Sequence, residues 1–184
     1  MVYVLLAPGF EEIEAISVVD ILRRAEQEVT TVSIGVEGTA VTGVHGIEIT
    51  ADIHEDDLHL TGVDMVFLPG GQPGTANLEK SATVRSAVEA AAVHGAWLAA
   101  ICAAPSILAH WGMLKGRRAT CYPVYDRELT AGGAEYTGAQ VEQDGHVITA
   151  KGPGAAIRFG LRLAACLAGE DTAERIRRAM QYDL

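Results

Sequence analysis

The chain is poor in cysteine and in basic residues. Its three cysteines are an odd number and form no CxxC or CxxH pair. This excludes a disulfide framework, gives no support to a metal site and indicates a reducing compartment. Lysine and arginine total 14 against 24 aspartates and glutamates, a net charge of −10. Because no basic stripe is visible, we expect neither nucleic acid nor an anionic membrane surface as a partner.

A long apolar run is also missing. The most apolar stretch, 96–114, is mostly alanine and is interrupted by Pro105 and His110. It falls short of the roughly 20 strongly apolar residues that cross a bilayer. The first residues carry no basic signal segment and lead directly into a predicted strand. We therefore expect a cytoplasmic protein without a membrane partner.

Short apolar or β-branched runs alternate with amphipathic segments along the chain. The runs are typical of buried strands, and they lie at Val2–Leu6, 29–34, Met65–Leu68 and Trp97–Ile101. A further short strand is predicted at 119–121. Helical spacing of apolar residues predicts helices at 11–24, 84–93, 103–111, near 124–130, 155–167 and 172–180. Turn residues predict two hairpins, 40–44 with 47–50 and 141–143 with 147–150.

This order of elements predicts an α/β sandwich around a mostly parallel sheet, because parallel strands need crossover helices between them. With no linker and no internal repeat, residues 1–184 are predicted to form a single domain. Ligands bind such sheets beyond the carboxyl ends of the strands. Four loops meet there, at 8–14, 69–74, 102–105 and 151–154.

Cys102 is the most informative side chain in these loops. It follows a predicted strand at once, and alanines on both sides permit a sharp turn into a helix. A thiol at a helix N-terminus has a lowered pKa and reacts as the thiolate. The same spacing is equally typical of a buried structural cysteine. Cys166 is predicted to lie in the core, and Cys121 is the weaker candidate for the site.

Acidic and glycine-rich loops surround this cysteine in the predicted fold. Glu11 and Glu12 are explained by the favourable charge at a helix N-terminus, whereas Glu14 lies a turn further and can point inward. Carboxylates in this loop disfavour a bound phosphate and so a flavin-type electron carrier. Glycines at 70–74 can offer N–H groups to an oxyanion. A polar cluster at 54–59 is interpreted as a solvated loop and not as a metal site.

Four motifs in these loops resemble those of the ThiJ/PfpI superfamily. They are the cysteine elbow AAICAAP, the glutamate motif GFEEIE, LPGG and KGPG, at 99–105, 9–14, 68–71 and 151–154. Their order and spacing fit nearly the whole chain, and the closest subgroup resembles the Parkinson-disease deglycase and its bacterial relatives. The resemblance implies a flavodoxin-like three-layer sandwich with a small β-hairpin excursion, and a homodimer. We expect no cofactor and no metal.

The resemblance also implies roles for single residues. Cys102 is expected to be the reactive cysteine, with Glu14 hydrogen-bonded to its sulfur. Backbone N–H groups of Gly71 and Ala103 are expected to stabilise an oxyanion. Residues expected to line the site are Gly70, Pro153, Tyr122, Arg24 and His45. Arg24 matches a basic group that the dimer of the subgroup brings near the site. His45 stands where the subgroup has an arginine.

Two familiar histidines are missing from the pattern. Glyoxalase-active relatives carry one before Pro123, where this chain has Tyr122. PfpI-type proteases and chaperones carry one directly after the cysteine, where this chain has Ala103. Tyrosine, with a reference pKa near 10, is a poor general base at neutral pH. Peptidase activity is therefore not expected, and glyoxalase activity requires Glu14 to move the proton.

The resemblance leads us to expect a cysteine-dependent enzyme on a small-molecule carbonyl substrate, either a glutathione-independent glyoxalase for α-oxoaldehydes or a deglycase for early glycation adducts. One alternative is an oxidative-stress sensor or chaperone whose Cys102 is oxidised to the sulfinic acid. Another is a small-molecule hydrolase or hydratase, such as an isonitrile hydratase. In the glyoxalase mechanism, the Glu14 carboxyl group is expected to have a raised pKa, because a carboxylate and a thiolate side by side repel each other.

Overall fold

The computed structural model describes residues 1–183. Its strands are β1 (Val2–Leu6), β2 (Val29–Ser33), β3 (Ala40–Thr42), β4 (Glu48–Thr50), β5 (Ile53–His54), β6 (Met65–Leu68), β7 (Trp97–Ile101), β8 (Arg118–Ala119), β9 (Glu135–Tyr136), β10 (Val141–Asp144) and β11 (Val147–Ala150). Its α-helices are α1 (Glu12–Arg24), α2 (Gly74–Lys80), α3 (Ala82–Val93), α4 (Pro105–His110), α5 (Asp126–Ala131), α6 (Ala156–Ala168) and α7 (Glu170–Ala179).

Seven strands form the central sheet, in the spatial order β10-β11-β7-β6-β1-β2-β5. All neighbours in it are parallel except the antiparallel pair β10 and β11. Strands β3 and β4 make a separate antiparallel hairpin, and β8 pairs with β9 in parallel. The predicted α/β, flavodoxin-like architecture with a small hairpin excursion is therefore confirmed.

The sheet separates two hydrophobic clusters. In β1, Val4 and Leu6 face one side, which α1, α6 and α7 cover, whereas Leu5 faces the other side, which α2 to α5 cover. Burying one such side chain contributes about 1.5–3 kcal/mol, so alternation along each strand ties both helical layers to the sheet. Because both clusters share one sheet, the arrangement is consistent with a single domain, which stays a prediction.

Several element boundaries differ from those predicted. The short helix α2 was not predicted, because the Pro/Gly-rich turn before it hides its start. Helix α4 begins at Pro105 and not at residue 103, since a tight turn follows Cys102. A 3-10 turn at Pro123–Tyr125 delays the start of α5 to Asp126. Among residues 1–183, no helix is long and apolar enough to span a bilayer.

Candidate active site

Cys102 lies at a sharp elbow beyond the carboxyl end of β7. Its φ of 63° is in the left-handed region, which costs a non-glycine residue roughly 1–2 kcal/mol. The backbone is held on both sides: Cys102 N–H donates to the Ala150 carbonyl at 2.9 Å, and the Cys102 carbonyl accepts from Tyr122 N–H at 2.8 Å. The elbow keeps the thiol half-buried at the sheet edge where ligands bind in this architecture.

Two backbone N–H groups are directed at the sulfur. Hydrogen bonds from Ala103 and Gly71 both act to lower the pKa of the Cys102 thiol. Gly71 has a φ of +91°, and a Cβ at this position would lie 2.5 Å from Glu11 N and from Gly9 O. Only glycine fits there, so the close packing of the two loops fixes the direction of this N–H group.

Glu14 places a carboxyl group beside the thiol from the inward face of α1. Its side chain is fully buried, and Oε2 accepts a hydrogen bond from Gly70 N–H at 2.8 Å. Burial raises the Glu14 pKa from its usual 4.5 to about 7, although the hydrogen bonds from Gly70 and from Cys102 oppose the rise. The expected raised pKa is confirmed. A Cβ at Gly70 would lie 2.6 Å from both Cys102 Cβ and Glu14 Oε2.

The expected lowering of the Cys102 pKa is wrong. Burial raises the thiol pKa, and the neighbouring Glu14 carboxylate raises it further through its charge and its hydrogen bond. These effects exceed the contribution of the two backbone N–H groups. At neutral pH the thiol therefore keeps its proton, and the Glu14 carboxylate is the base within reach of it.

The Tyr122 ring and the Cys102 thiol both border the space next to Gly152. A Cβ built on Gly152 would lie 3.2 Å from Tyr122 Cδ2 and 4.0 Å from Cys102 Sγ. The aromatic ring and the sulfur thus border the same gap, which is open because residue 152 has no side chain. Pro153 lines the cleft that continues from this gap. The structure therefore places Tyr122 at the gap beside the thiol and Pro153 in the adjoining cleft.

The chain alone does not bring Arg24 to the thiol. Arg24 is the last residue of α1, at the end opposite Glu14, and it forms an exposed ion pair with Asp20 at 2.7 Å. Ten residues of helix separate the two side chains by about 15 Å along the axis. Any role for Arg24 in the site thus depends on a second copy of the chain.

His45, Glu11 and Glu12 form a cluster at the start of α1. Glu12 Oε1 accepts from His45 N–H at 2.8 Å, and Glu12 Oε2 lies 2.9 Å from His45 Nδ1. Glu11 and Glu12 are 7% and 6% exposed. Helix-end charge alone therefore does not explain them, because these carboxylates attach the hairpin of β3 and β4 to α1. The sequence offered no signal for this contact.

This cluster has the oxygen and nitrogen atoms of a possible cation site, all within 4.8 Å of one another. His45 already bonds to Glu12, and this contact raises the His45 pKa.

Glu12→Gln should weaken the attachment of the hairpin to α1, because the Glu12 carboxylate accepts the hydrogen bonds of His45. We expect faster hydrogen exchange at the His45 and Ile47 amides, measured by NMR, while amides in β6 and β7 keep their rates. Unchanged exchange at both amides would contradict this account of Glu12.

The remaining cysteines lie elsewhere. Cys121 is fully buried, and Cys166 lies on α6, where its thiol contacts Gln143 Oε1 at 3.6 Å.

The fold and the site together define a class of protein: a flavodoxin-like sandwich with a cysteine at a strand-to-helix elbow, backed by a buried glutamate and two N–H groups. The chain belongs to the DJ-1/PfpI family, whose model matches residues 1–165.

Similar proteins support this assignment. Protein DJ-1 homolog A of Arabidopsis thaliana is 35% identical over 172 residues, which cover 93% of this chain but only 44% of that protein. This chain thus spans less than half of that relative. A Caenorhabditis elegans protein named glutathione-independent glyoxalase DJR-1.2 is 31% identical over 169 residues, 91% of this chain and 89% of that protein. The crystal structure of Drosophila melanogaster DJ-1beta matches with a TM-score of 0.94 and 34% identity, covering 100% of this chain and 98% of that chain.

Proposed function

We propose that the chain is a cysteine-dependent enzyme that converts α-oxoaldehydes to α-hydroxy acids without glutathione, or attacks early glycation adducts in the same way. One observation carries the proposal: the Cys102 thiol lies between two N–H donors and a buried carboxyl group whose pKa is about 7. These groups supply a nucleophile, an oxyanion site and a proton carrier. The name of the C. elegans relative supports the same chemistry.

The first step is addition of sulfur to the aldehyde. With methylglyoxal, the Glu14 carboxylate accepts the thiol proton while Cys102 Sγ forms a bond to the aldehyde carbon. The carbonyl oxygen becomes an oxyanion, which Gly71 and Ala103 stabilise through their N–H groups. The proton now on Glu14 neutralises this oxygen and gives a hemithioacetal. No histidine is required, because Glu14 serves as the base.

The second step moves a proton between carbons. Glu14 removes the hydrogen of the former aldehyde carbon as a proton, and the adjacent carbonyl oxygen takes up a proton, which gives an enediol. Return of a proton to the second carbon, with loss of the proton from the first hydroxyl group, leaves the first carbon oxidised and the second reduced. The product is a thioester of lactate on Cys102. Water then hydrolyses the thioester, which releases lactate and restores the thiol. The sequence needs no external oxidant or reductant.

Cys102→Ala should abolish this reaction. Because the thiol forms the covalent bond, we expect lactate formation from methylglyoxal to fall at least about a thousandfold. Cys166→Ala is the matched control, since it removes a thiol of α6 outside the site, and it should keep wild-type turnover. Wild-type turnover in the Cys102→Ala protein would overturn the proposal.

The reaction should accelerate as pH rises through about 7. The reactive form of the pair holds one proton between Cys102 and Glu14, and it forms when the doubly protonated pair loses a proton near the Glu14 pKa of about 7. We therefore expect kcat/KM to increase about tenfold from pH 6 to pH 8 and to level off above it. A flat profile over this range would contradict the assignment of Glu14 as the base.

One alternative has an observation in its favour. Near pH 7 the buried Glu14 carboxyl holds its proton part of the time and could donate it to a sulfinate on Cys102. This favours a sensor or chaperone whose cysteine is oxidised. The two functions separate in one experiment: absent lactate formation, together with ready peroxide oxidation of Cys102 seen by mass spectrometry, supports the sensor.

We also propose that the protein is a cytoplasmic homodimer. Two isoleucines of α1, Ile13 and Ile16, are 55% and 42% exposed, and Ile47 beside the hairpin is 57% exposed. Ile13 and Ile16 lie one turn apart on α1, and such exposed apolar side chains are suited to a contact with a second copy of the chain. The three free cysteines favour a reducing compartment. The family to which the chain belongs supports the dimer.

A further inference from the structure

A cleft extends from the candidate active site between Tyr122 and Pro153. Its volume is about 280 Å³, its surface is mostly apolar, and Tyr122, Pro123, Pro153 and Ala155 are among the residues that line it. A cavity of about 150 Å³ is large enough to hold benzene. The cleft therefore has room for a substituent far larger than a methyl group.

The cleft and the thiol are connected through Gly152. The gap above this glycine lies within contact distance of both the Tyr122 ring and Cys102 Sγ, as the distances to a Cβ built there demonstrate. The ring is therefore within reach of the substituent of a carbonyl carbon bound to the sulfur. A phenyl group offers this ring a much larger apolar face than a methyl group does.

The Tyr122 ring is available to a ligand. The side chain is 45% exposed, and no hydrogen bond of its hydroxyl is present among residues 1–183. Of the polar side chains that line the cleft, Lys151 donates from Nζ to the Gly138 carbonyl at 3.4 Å. An aromatic substituent would bury carbon against carbon and stack on the ring, a contact worth more than its buried area alone.

We propose that this cleft makes the chain selective for α-oxoaldehydes with an aromatic substituent, with Tyr122 as the residue that determines this specificity. The proposal rests on the glyoxalase function proposed above and names its substrate class. With phenylglyoxal the bonds formed and broken are those already described for methylglyoxal. Carbon 1 is oxidised, carbon 2 is reduced, water hydrolyses the thioester, and the product is mandelate.

The test compares kcat/KM for phenylglyoxal and methylglyoxal. The rates are measured as formation of mandelate and lactate, because arginine side chains also consume phenylglyoxal. We expect Tyr122→Ala to lower kcat/KM for phenylglyoxal about tenfold more than it lowers kcat/KM for methylglyoxal. Tyr122→Phe, which keeps the ring, should restore the wild-type ratio of the two substrates. Val124→Ala is the matched control, because Val124 is 70% exposed and does not line the cleft.

Equal losses for both substrates in Tyr122→Ala would overturn the proposed selectivity while leaving the glyoxalase function intact. If the wild type converts neither substrate, the proposed function is wrong. A binding experiment then shows whether the cleft still binds an aromatic group. For this purpose the Cys102→Ala protein is titrated with mandelate and with lactate by NMR. Shifts at the Gly152 and Gly154 amides with mandelate alone support an aromatic-binding cleft, and no shifts with either acid reject it.

Discussion

The Glu14→Gln protein should be more stable than the wild type at pH 8 and should have lost its turnover. Because the Glu14 pKa is raised from 4.5 to about 7, the folded protein holds a proton that the unfolded chain releases between these values. Wild-type stability therefore falls as pH rises through this window. At 1.36 kcal/mol per pKa unit, the ionised carboxylate costs roughly 3 kcal/mol at pH 8.

Glutamine avoids this cost without disturbing the packing. Its amide oxygen can accept the Gly70 N–H as Oε2 does, and its amide group has nearly the size and shape of the carboxyl group that it replaces. Urea unfolding at pH 4 and pH 8 measures the effect. The free energies of unfolding of variant and wild type should be similar at pH 4, where both side chains are neutral, and should diverge at pH 8.

A surface variant separates this effect from a general change of charge. Glu37→Gln removes one carboxylate from an exposed position and should leave the pH dependence of unfolding unchanged. If Glu14→Gln is no more stable than the wild type at pH 8, the buried carboxylate is not destabilising. If it is stable but retains turnover, Glu14 does not carry the proton.

Gly71→Ala should reduce both stability and turnover strongly. Its φ is +91°, and the added Cβ would lie 2.5 Å from Glu11 N and Gly9 O and 2.8 Å from Phe10 C. All three are backbone atoms that cannot rotate away, so the two loops must separate. We expect a loss of about 3 kcal/mol or more in unfolding free energy, from left-handed strain and overpacking together. Displacing the Gly71 N–H should lower kcat about a hundredfold or more.

Gly62→Ala provides the matched control for this substitution. Gly62 has a φ of +70°, yet a Cβ there meets no atom within 4 Å. It carries the strain without the clash, so its cost should stay at about 1–2 kcal/mol with turnover unchanged. Thermal unfolding and lactate formation measure both variants. Equal destabilisation by the two substitutions would indicate that close packing at Gly71 is unimportant.

Much of the fold could be predicted because buried strands carry their own signal. The boundaries of β1, β6 and β7 agree with the predicted runs Val2–Leu6, Met65–Leu68 and Trp97–Ile101. A continuous apolar run between turn residues identifies such strands without knowledge of their partners. Short elements at the margins, such as α2 and β9, lack this signal, since neighbours in space determine their conformation.

The site was predicted less completely, because its electrostatics depend on contacts between distant segments. The motifs indicated Cys102, Glu14 and Gly71, and the structure brings all three together. The thiol pKa was misjudged because helix position is visible in the sequence, whereas burial beside a carboxylate is not. The contact between Glu12 and His45 was missed for the same reason: it joins residues 33 positions apart.

The parallel sheet has a consequence for how activity appears during folding. Glu14, Gly71, Cys102 and Gly152 follow four different strands, β1, β6, β7 and β11. These strands are brought side by side by the parallel pairs β1–β6, β6–β7 and β7–β11, and none of these pairs is a hairpin. Pairing such strands requires closing long loops, which is slow compared with local folding. A collapsed intermediate can thus contain most helices and still lack the site. Recovery of turnover during refolding should therefore lag behind recovery of helical signal.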